Sequence, residues 1–202
     1  GKSDLVAECG SQYDMRRYTD SSRDETVDTV YGTLSLNGPL ANTLFYTLSG
    51  TFQTGILETN EKLSVHSAFG KARLDFYPDT KHKVFAQFLY SPPGTDFFSY
   101  FLPITFQQAG TLYTAGYDYL MLASAGWNFN PLLALNLDLN GKVFMYPEEQ
   151  TTGDGLYRGT EVNAGATVRA TTDLRFRFDG SLYLPNEEDL QYQASLKAIL
   201  DL

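Results

Sequence analysis

From residue 174 to 184 every second position is apolar or glycine and none is charged: Leu174, Phe176, Phe178, Gly180, Leu182 and Leu184. Between them stand Arg175, Arg177, Asp179, Ser181 and Tyr183. The last segment repeats the pattern, with Tyr192, Ala194, Leu196, Ala198, Leu200 and Leu202 alternating with Gln191, Gln193, Ser195, Lys197, Ile199 and Asp201. Side chains of a strand point alternately to opposite faces, so each segment has one apolar and one polar face. A soluble sandwich shows the same alternation. The stronger constraint is that it recurs in long segments along the whole chain.

Taken in order, Leu5, Ala7, Cys9, Tyr13 and Met15 share a face, and a polar stretch at 18–28 reads as a loop. Val30, Gly32, Leu34 and Leu36 follow, then a short turn at Asn37-Gly38-Pro39, then Leu44, Tyr46, Leu48, Gly50 and Phe52. After a loop near 58–61, Ala68, Gly70, Ala72, Leu74 and Phe76 alternate cleanly, whereas Val65 and Phe69 fall out of phase and predict a bulge or a misplaced boundary. Pro78-Asp79-Thr80 is a tight turn before Val84, Ala86, Phe88 and Tyr90. A long irregular stretch, 91–116, carries Phe97, Phe98, Tyr100 and Phe101. Tyr119 to Phe129, a turn at Asn130-Pro131, Leu133 to Met145, an acidic loop at 147–155, Val162 to Val168 and a turn at 170–173 complete the series.

The reading is ten candidate strands in a single domain, 1–202. Connections near 37–42, 78–81, 128–132 and 170–173 are short; those near 18–28, 58–62, 91–116, 147–155 and 185–190 are longer or more polar. Short turns at one end and long loops at the other describe an all-β, antiparallel, up-and-down transmembrane β-barrel. About ten strands lie in this chain, either closing alone or forming the C-terminal part of a longer barrel.

Composition is compatible with that class. No apolar run reaches eighteen residues, which excludes a spanning helix, but a spanning strand needs only about 9–11 residues, half of them apolar. The negative mean hydropathy therefore does not separate soluble from barrel proteins. Fourteen Tyr and fourteen Phe against one Trp suit strands and the aromatic girdles of membrane interfaces. A net charge of −9 and the lack of a basic stripe disfavour nucleic acid as a partner. The lone Cys9 forms no internal disulfide. The start Gly-Lys-Ser, without Met or a signal peptide, is expected of a processed end or a start inside a longer protein.

Two physical arguments favour lipid over water around the apolar faces. Backbone groups in lipid must all be paired, so only helices and closed barrels span, and consecutive antiparallel strands meet that demand. The apolar faces are also almost free of charge in their middles, where a Lys or Arg costs roughly 2–4 kcal/mol at mid-bilayer. The polar faces mix Ser, Thr, Asn and Gln with both signs of charge, as a hydrated lumen does.

The stretch 117–184 resembles the C-terminal part of the alginate-export family of outer-membrane channels. The similar pieces are Tyr117-Asp118-Tyr119, Gly126-Trp127-Asn128, residues 156–166 and residues 171–184. The resemblance implies an eighteen-stranded channel, so that this chain would be the C-terminal part of a longer barrel or a relative that has shed strands. The final strand is similar to the terminal strand read by bacterial barrel-assembly machinery, with Leu202 where Phe is usual.

Candidate chemistry is sparse. His66 beside Ser67 suggests an outer-membrane lipid hydrolase, but adjacent strand residues point to opposite faces, and no acid is placed to orient the imidazole. His82 sits by a short turn, which argues against an outer-rim protease. No metal-ligand cluster stands out, no cofactor is implied, and the chain is read as a non-enzyme. The pore-lining candidates are Lys71, Arg73, Asp75, Asp138, Lys142, Glu161, Arg169, Arg175, Arg177, Asp179 and Lys197. They form either a structural lattice of ion pairs or a cationic track for anions, like the charged rings of selective pores. The 91–116 stretch is expected to fold inward as a constriction, cover the barrel mouth or touch a partner protein.

The expected function is a porin-like channel in the bacterial outer membrane for passive passage of small polar or anionic solutes. Outer-membrane lipid, lipopolysaccharide and the assembly machinery are the expected partners. A closed structural or adhesive barrel is the alternative.

Overall fold

The structure is a computed structural model that describes residues 2–17, 24–58, 62–93, 109–113, 119–148, 155–186 and 189–200. Ten strands follow one another: β1 (Asp4–Arg17), β2 (Asp24–Ala41), β3 (Leu44–Glu58), β4 (Lys62–Phe76), β5 (His82–Tyr90), β6 (Met121–Leu132), β7 (Leu135–Met145), β8 (Tyr157–Arg169), β9 (Leu174–Pro185) and β10 (Gln191–Leu200). They form a single sheet in the order β1 to β10, each strand antiparallel to its neighbours in sequence. Among the described residues β1 and β10 are the edges, and no ladder joins them. No helix there is long and apolar enough to cross a membrane.

The register converts sequence alternation into two faces. One row runs Leu5, Leu36, Leu48, Ala72, Phe88, Ala123, Val143, Thr160, Leu184 across nine strands. The row beside it, on the other face, runs Thr47, Arg73, Gln87, Ser124, Lys142, Glu161, Tyr183, Gln191. A period of two in every strand, carried across ladders in phase, gives one continuous apolar surface and one continuous polar surface.

Burial is inverted with respect to a water-soluble protein. Leu48 is 48 % exposed and Phe178 50 %, whereas Gln53 is 1 % and Glu161 0 % exposed. Thr29, Ser67, Ser124 and Ser181 are buried with them. Gln53 donates to Thr29 Oγ1 at 2.9 Å and accepts from Ser67 Oγ at 3.2 Å, so the buried amide is satisfied in place. The small buried apolar cluster lies on the polar face too: Leu89, Leu122, Phe144 and Tyr183 from the strands, with Ala109, Tyr113 and Leu120 from the β5–β6 connection.

Several boundaries differ from expectation. The turn expected at 37–39 lies at Asn42 and Thr43, and the one expected at Asn130-Pro131 lies at Leu133 and Ala134. Both prolines stay in strands where the register shifts, between Pro39 and Ala41 and between Phe129 and Leu132. Proline has no N–H to give a ladder, and a bulge is where a strand tolerates that loss. Residues 24–28 extend β2 rather than belonging to a loop, paired with residues 13–17 of β1. The bulge expected near Val65 and Phe69 is not there, since β4 pairs with β3 without a shift. Phe69 is instead an apolar residue of the polar face, packed against the buried cluster. The aromatic group at 97–101 lies outside the described residues, as do 201 and 202.

Candidate functional site

The expected pore-lining residues share the polar face, because they fall in the same set of rows. Most are locked into ion pairs. Arg73 grips Asp75 two residues along the same strand, with Nε to Oδ2 and Nη2 to Oδ1 both at 2.8 Å. This bidentate geometry is the strong form of a guanidinium–carboxylate contact. Lys83 Nζ lies 3.0 Å from the same carboxylate, and the Arg73 guanidinium stacks 4.2 Å over the Phe85 ring. Lys142 faces Glu161 at 3.6 Å, and Arg177 stands between Asp138 at 3.2 Å and Asp179 at 2.7 Å. Lys197 reaches Asp179 at 3.9 Å. Lys71 and Arg169 take no part in an ion pair among the described residues. Arg169 and Arg175 stand directly opposite each other across β8 and β9.

Glu161 does more than balance Lys142. Its carboxylate accepts the backbone N–H of Thr111 at 2.8 Å, of Leu112 at 2.8 Å and of Tyr113 at 2.9 Å. Asn163 Nδ2 donates to the same carboxylate at 2.7 Å. Successive backbone N–H groups converging on one anion form a nest, and here the anion belongs to the wall itself. Lys142 Nζ closes the arrangement by donating to the carbonyl of Ala109 at 3.0 Å. Gly110 has to be glycine, since a Cβ there would lie 2.5 Å from Glu161 Oε2 and 2.8 Å from Tyr113 Cβ.

Residues 109–113 of the β5–β6 connection are thus held on the polar face of β7, β8 and β9. Tyr113 is 8 % exposed, its ring stacked on Phe144 at 4.1 Å and edge-on to Tyr183 at 5.8 Å. Burial pushes its phenol up to about 12, and its hydroxyl has no hydrogen-bond partner among the described residues. Thr111, by contrast, is exposed and borders a polar cleft of about 290 Å3 against Asp138, Asn163, Arg177, Asp179 and Lys197.

Three features of this face lie outside the residues expected from the sequence. Gly165 lies between Asp138 and Asp179 in its row, and a Cβ there would come within 2.5 Å of Asp138 Oδ2. Lys83 shares the phase of Phe85 and Gln87, so that phase was the signal that could have placed it beside Asp75. Arg158 has no such signal: it shares its parity with Val162 and Ala164, which predicts the apolar face. The register shift between Phe144 and Met145 skips it, and its guanidinium stacks 4.1 Å over Tyr146 and 5.5 Å over Tyr113. A bulge re-aims a side chain in just this manner.

The two hydrolase candidates are kept apart, as expected. His66 Nδ1 pairs with Thr54 Oγ1 at 2.9 Å on the exposed side, while Ser67 bonds Gln53 on the buried side. His82 stacks on Phe129 at 4.4 Å and accepts from Trp127 Nε1 at 3.1 Å. No group of residues suited to a metal ion occurs among the described residues. No protein-family model matches the chain, and no curated protein matches its sequence.

Proposed function

We propose that the chain is wall of a bacterial outer-membrane β-barrel, whose apolar face meets lipid and whose polar face bounds a hydrated interior that passes small polar solutes. The observation that carries this is the inverted burial: large apolar side chains of uncharged rows such as Leu48, Phe52 and Phe178 are exposed, whereas Thr29, Gln53, Ser67, Ser124, Glu161 and Ser181 of the polar rows are buried. In water, ten strands would leave that apolar surface unpaired at roughly 25 cal/mol per Å2; in lipid it is solvated.

A second observation supports the membrane. His82, Trp127 and Phe129 gather on the apolar face at the short-turn end of β5 and β6, with His82 stacked on Phe129 at 4.4 Å and Trp127 stacked on Phe129 at 5.3 Å. Amphipathic rings in a band near strand ends are what a membrane interface selects. The reading requires the edges β1 and β10 to be paired, with each other or with further strands, because no open edge is tolerated in hydrocarbon. The resemblance of residues 117–184 to the alginate-export family agrees with this class of protein.

The charge arrangement narrows the solute. Arg73, Lys142, Arg177 and Lys197 each have a carboxylate within 4.0 Å, so most of their field is cancelled in place. That favours polar solutes of little net charge over strongly anionic ones. The rival, a closed structural or adhesive barrel, draws on the interior volume taken by residues 109–113 and the aromatic cluster, since a barrel of few strands has little room to spare.

Outer-membrane fractionation and heat-modifiable migration in detergent gels test the membrane assignment, which a freely soluble monomer would end. Planar-bilayer recordings of wild type and an Arg175→Ala, Arg177→Ala variant test the channel. Conductance is expected, with ion selectivity altered in the variant; no conductance favours the closed barrel, and conductance and selectivity unchanged in the variant take Arg175 and Arg177 off the conducting path.

A further inference from the structure

We infer that the turn at residues 109–113 is the size-limiting element of the interior, and that Glu161 and Lys142 are the positioning residues that hold it. The size-limiting role rests on the channel reading above; the holding is a matter of packing alone.

The chain leaves β5 at Tyr90 and enters β6 at Met121, two strands that are direct neighbours in the sheet. A hairpin between neighbours needs only two to five residues. This connection instead crosses to the polar face of β7, β8 and β9 and places residues 109–113 there. The attachment is concentrated on one carboxylate. Three N–H groups converge on Glu161, and Lys142 spans from that carboxylate to the carbonyl of Ala109. Gly110 lets the turn close down onto Glu161 Oε2. Thr111 is the exposed residue of the turn, and it borders the polar cleft with Arg177 and Asp179. A solute following the polar face beside β8 therefore passes Thr111, and the gap it meets is fixed by how firmly Glu161 holds the turn.

Accessibility of residue 109 reads the hold directly. Ala109 is 3 % exposed, and Cys9 is a free cysteine, so the background is Cys9→Ser with Ala109→Cys. In the refolded full chain, a maleimide should label that thiol slowly. Glu161→Gln turns the anion into an amide that cannot accept three N–H groups, and Gly110→Ala pushes the turn off without changing charge. Each should speed labelling on the order of tenfold, the shift expected from one lost charge-assisted hydrogen bond. Glu161→Asp keeps the anion and should restore slow labelling in part. In planar bilayers both displacing variants should raise single-channel conductance above wild type, with heat-modifiable migration showing that the barrel has formed.

Labelling that ignores both variants overturns the hold. Faster labelling with unchanged conductance overturns the size-limiting role. A folded wild type that conducts nothing removes the channel reading and the size-limiting role together, whereas a conducting wild type indifferent to both variants removes the role alone.

Discussion

Arg177 Nη1 on β9 lies 3.2 Å from Asp138 Oδ1 on β7, two strands away, with Gly165 of β8 under the Asp138 carboxylate. The same guanidinium touches Thr167 Oγ1 at 3.2 Å and Asp179 at 2.7 Å. One cation thus ties three consecutive strands, and the bridge depends on a missing side chain on the middle one. Ion pairs on a half-buried face are worth more than exposed ones, and they are costly to break from one side only.

Gly165→Ala is expected to destabilise the folded chain by about 1–2 kcal/mol, because the new Cβ displaces Asp138 and strains the bridge. Gly141→Ala is the control, since a Cβ at Gly141 meets nothing within 4 Å. Urea titration of both variants in vesicles measures the difference; equal midpoints would show that Asp138 moves aside freely.

Arg177→Met should lower stability by about 2–4 kcal/mol by leaving two carboxylates of one row without their shared cation. Adding Asp138→Asn and Asp179→Asn should recover most of that loss. A double-mutant comparison in which the asparagines bring no recovery would mean the bridge contributes through packing and not charge.

Leu48 and Ser49 are adjacent in β3 and point to opposite faces. With lipid on the Leu48 side, Leu48→Lys should cost roughly 2–4 kcal/mol near mid-bilayer. Ser49→Lys should cost much less. Folding into phosphatidylcholine vesicles under a urea gradient reads both, and a harmless Leu48→Lys would place water on that side.

In the turn between β4 and β5, Asp79 Oδ1 accepts the N–H of Lys81 at 2.7 Å and of His82 at 2.8 Å. The Lys81 N–H, followed by that of His82, holds the carboxyl below its ordinary value of 3.8. A depressed pKa makes this contribution fully present above 3.8 and lost as the pH falls through the lower folded value. Carbon NMR of the Asp79 carboxyl should show a midpoint below 3.8. A stability gap between wild type and Asp79→Ala should also shrink on acidification; a gap that persists at the lowest pH would remove the carboxylate from the account.

Alternation alone located all ten strands and their consecutive pairing, because a period of two says which face each residue takes and short connections force antiparallel neighbours. The same parity put Lys71, Arg73, Asp75, Asp138, Lys142, Glu161, Arg169, Arg175, Arg177, Asp179 and Lys197 on the polar face. It failed where the period is broken. Pro39 and Pro131 read as turns because proline punctuates most sequences, yet each is carried in a bulge a few residues before the turn. Parity alone would put Arg158 on the apolar face, because it cannot register the residue that a bulge skips.

Within one strand, face is a local property, and the sequence by itself determined it for nearly every position. Which charges of the polar face meet was decided only by the tertiary structure, since Arg177 meets Asp138 from 39 positions away in the chain. The turn on Glu161 was decided there too. Nothing near Thr111 announces a carboxylate 50 residues later, because a backbone nest takes its anion from whatever the fold brings to it.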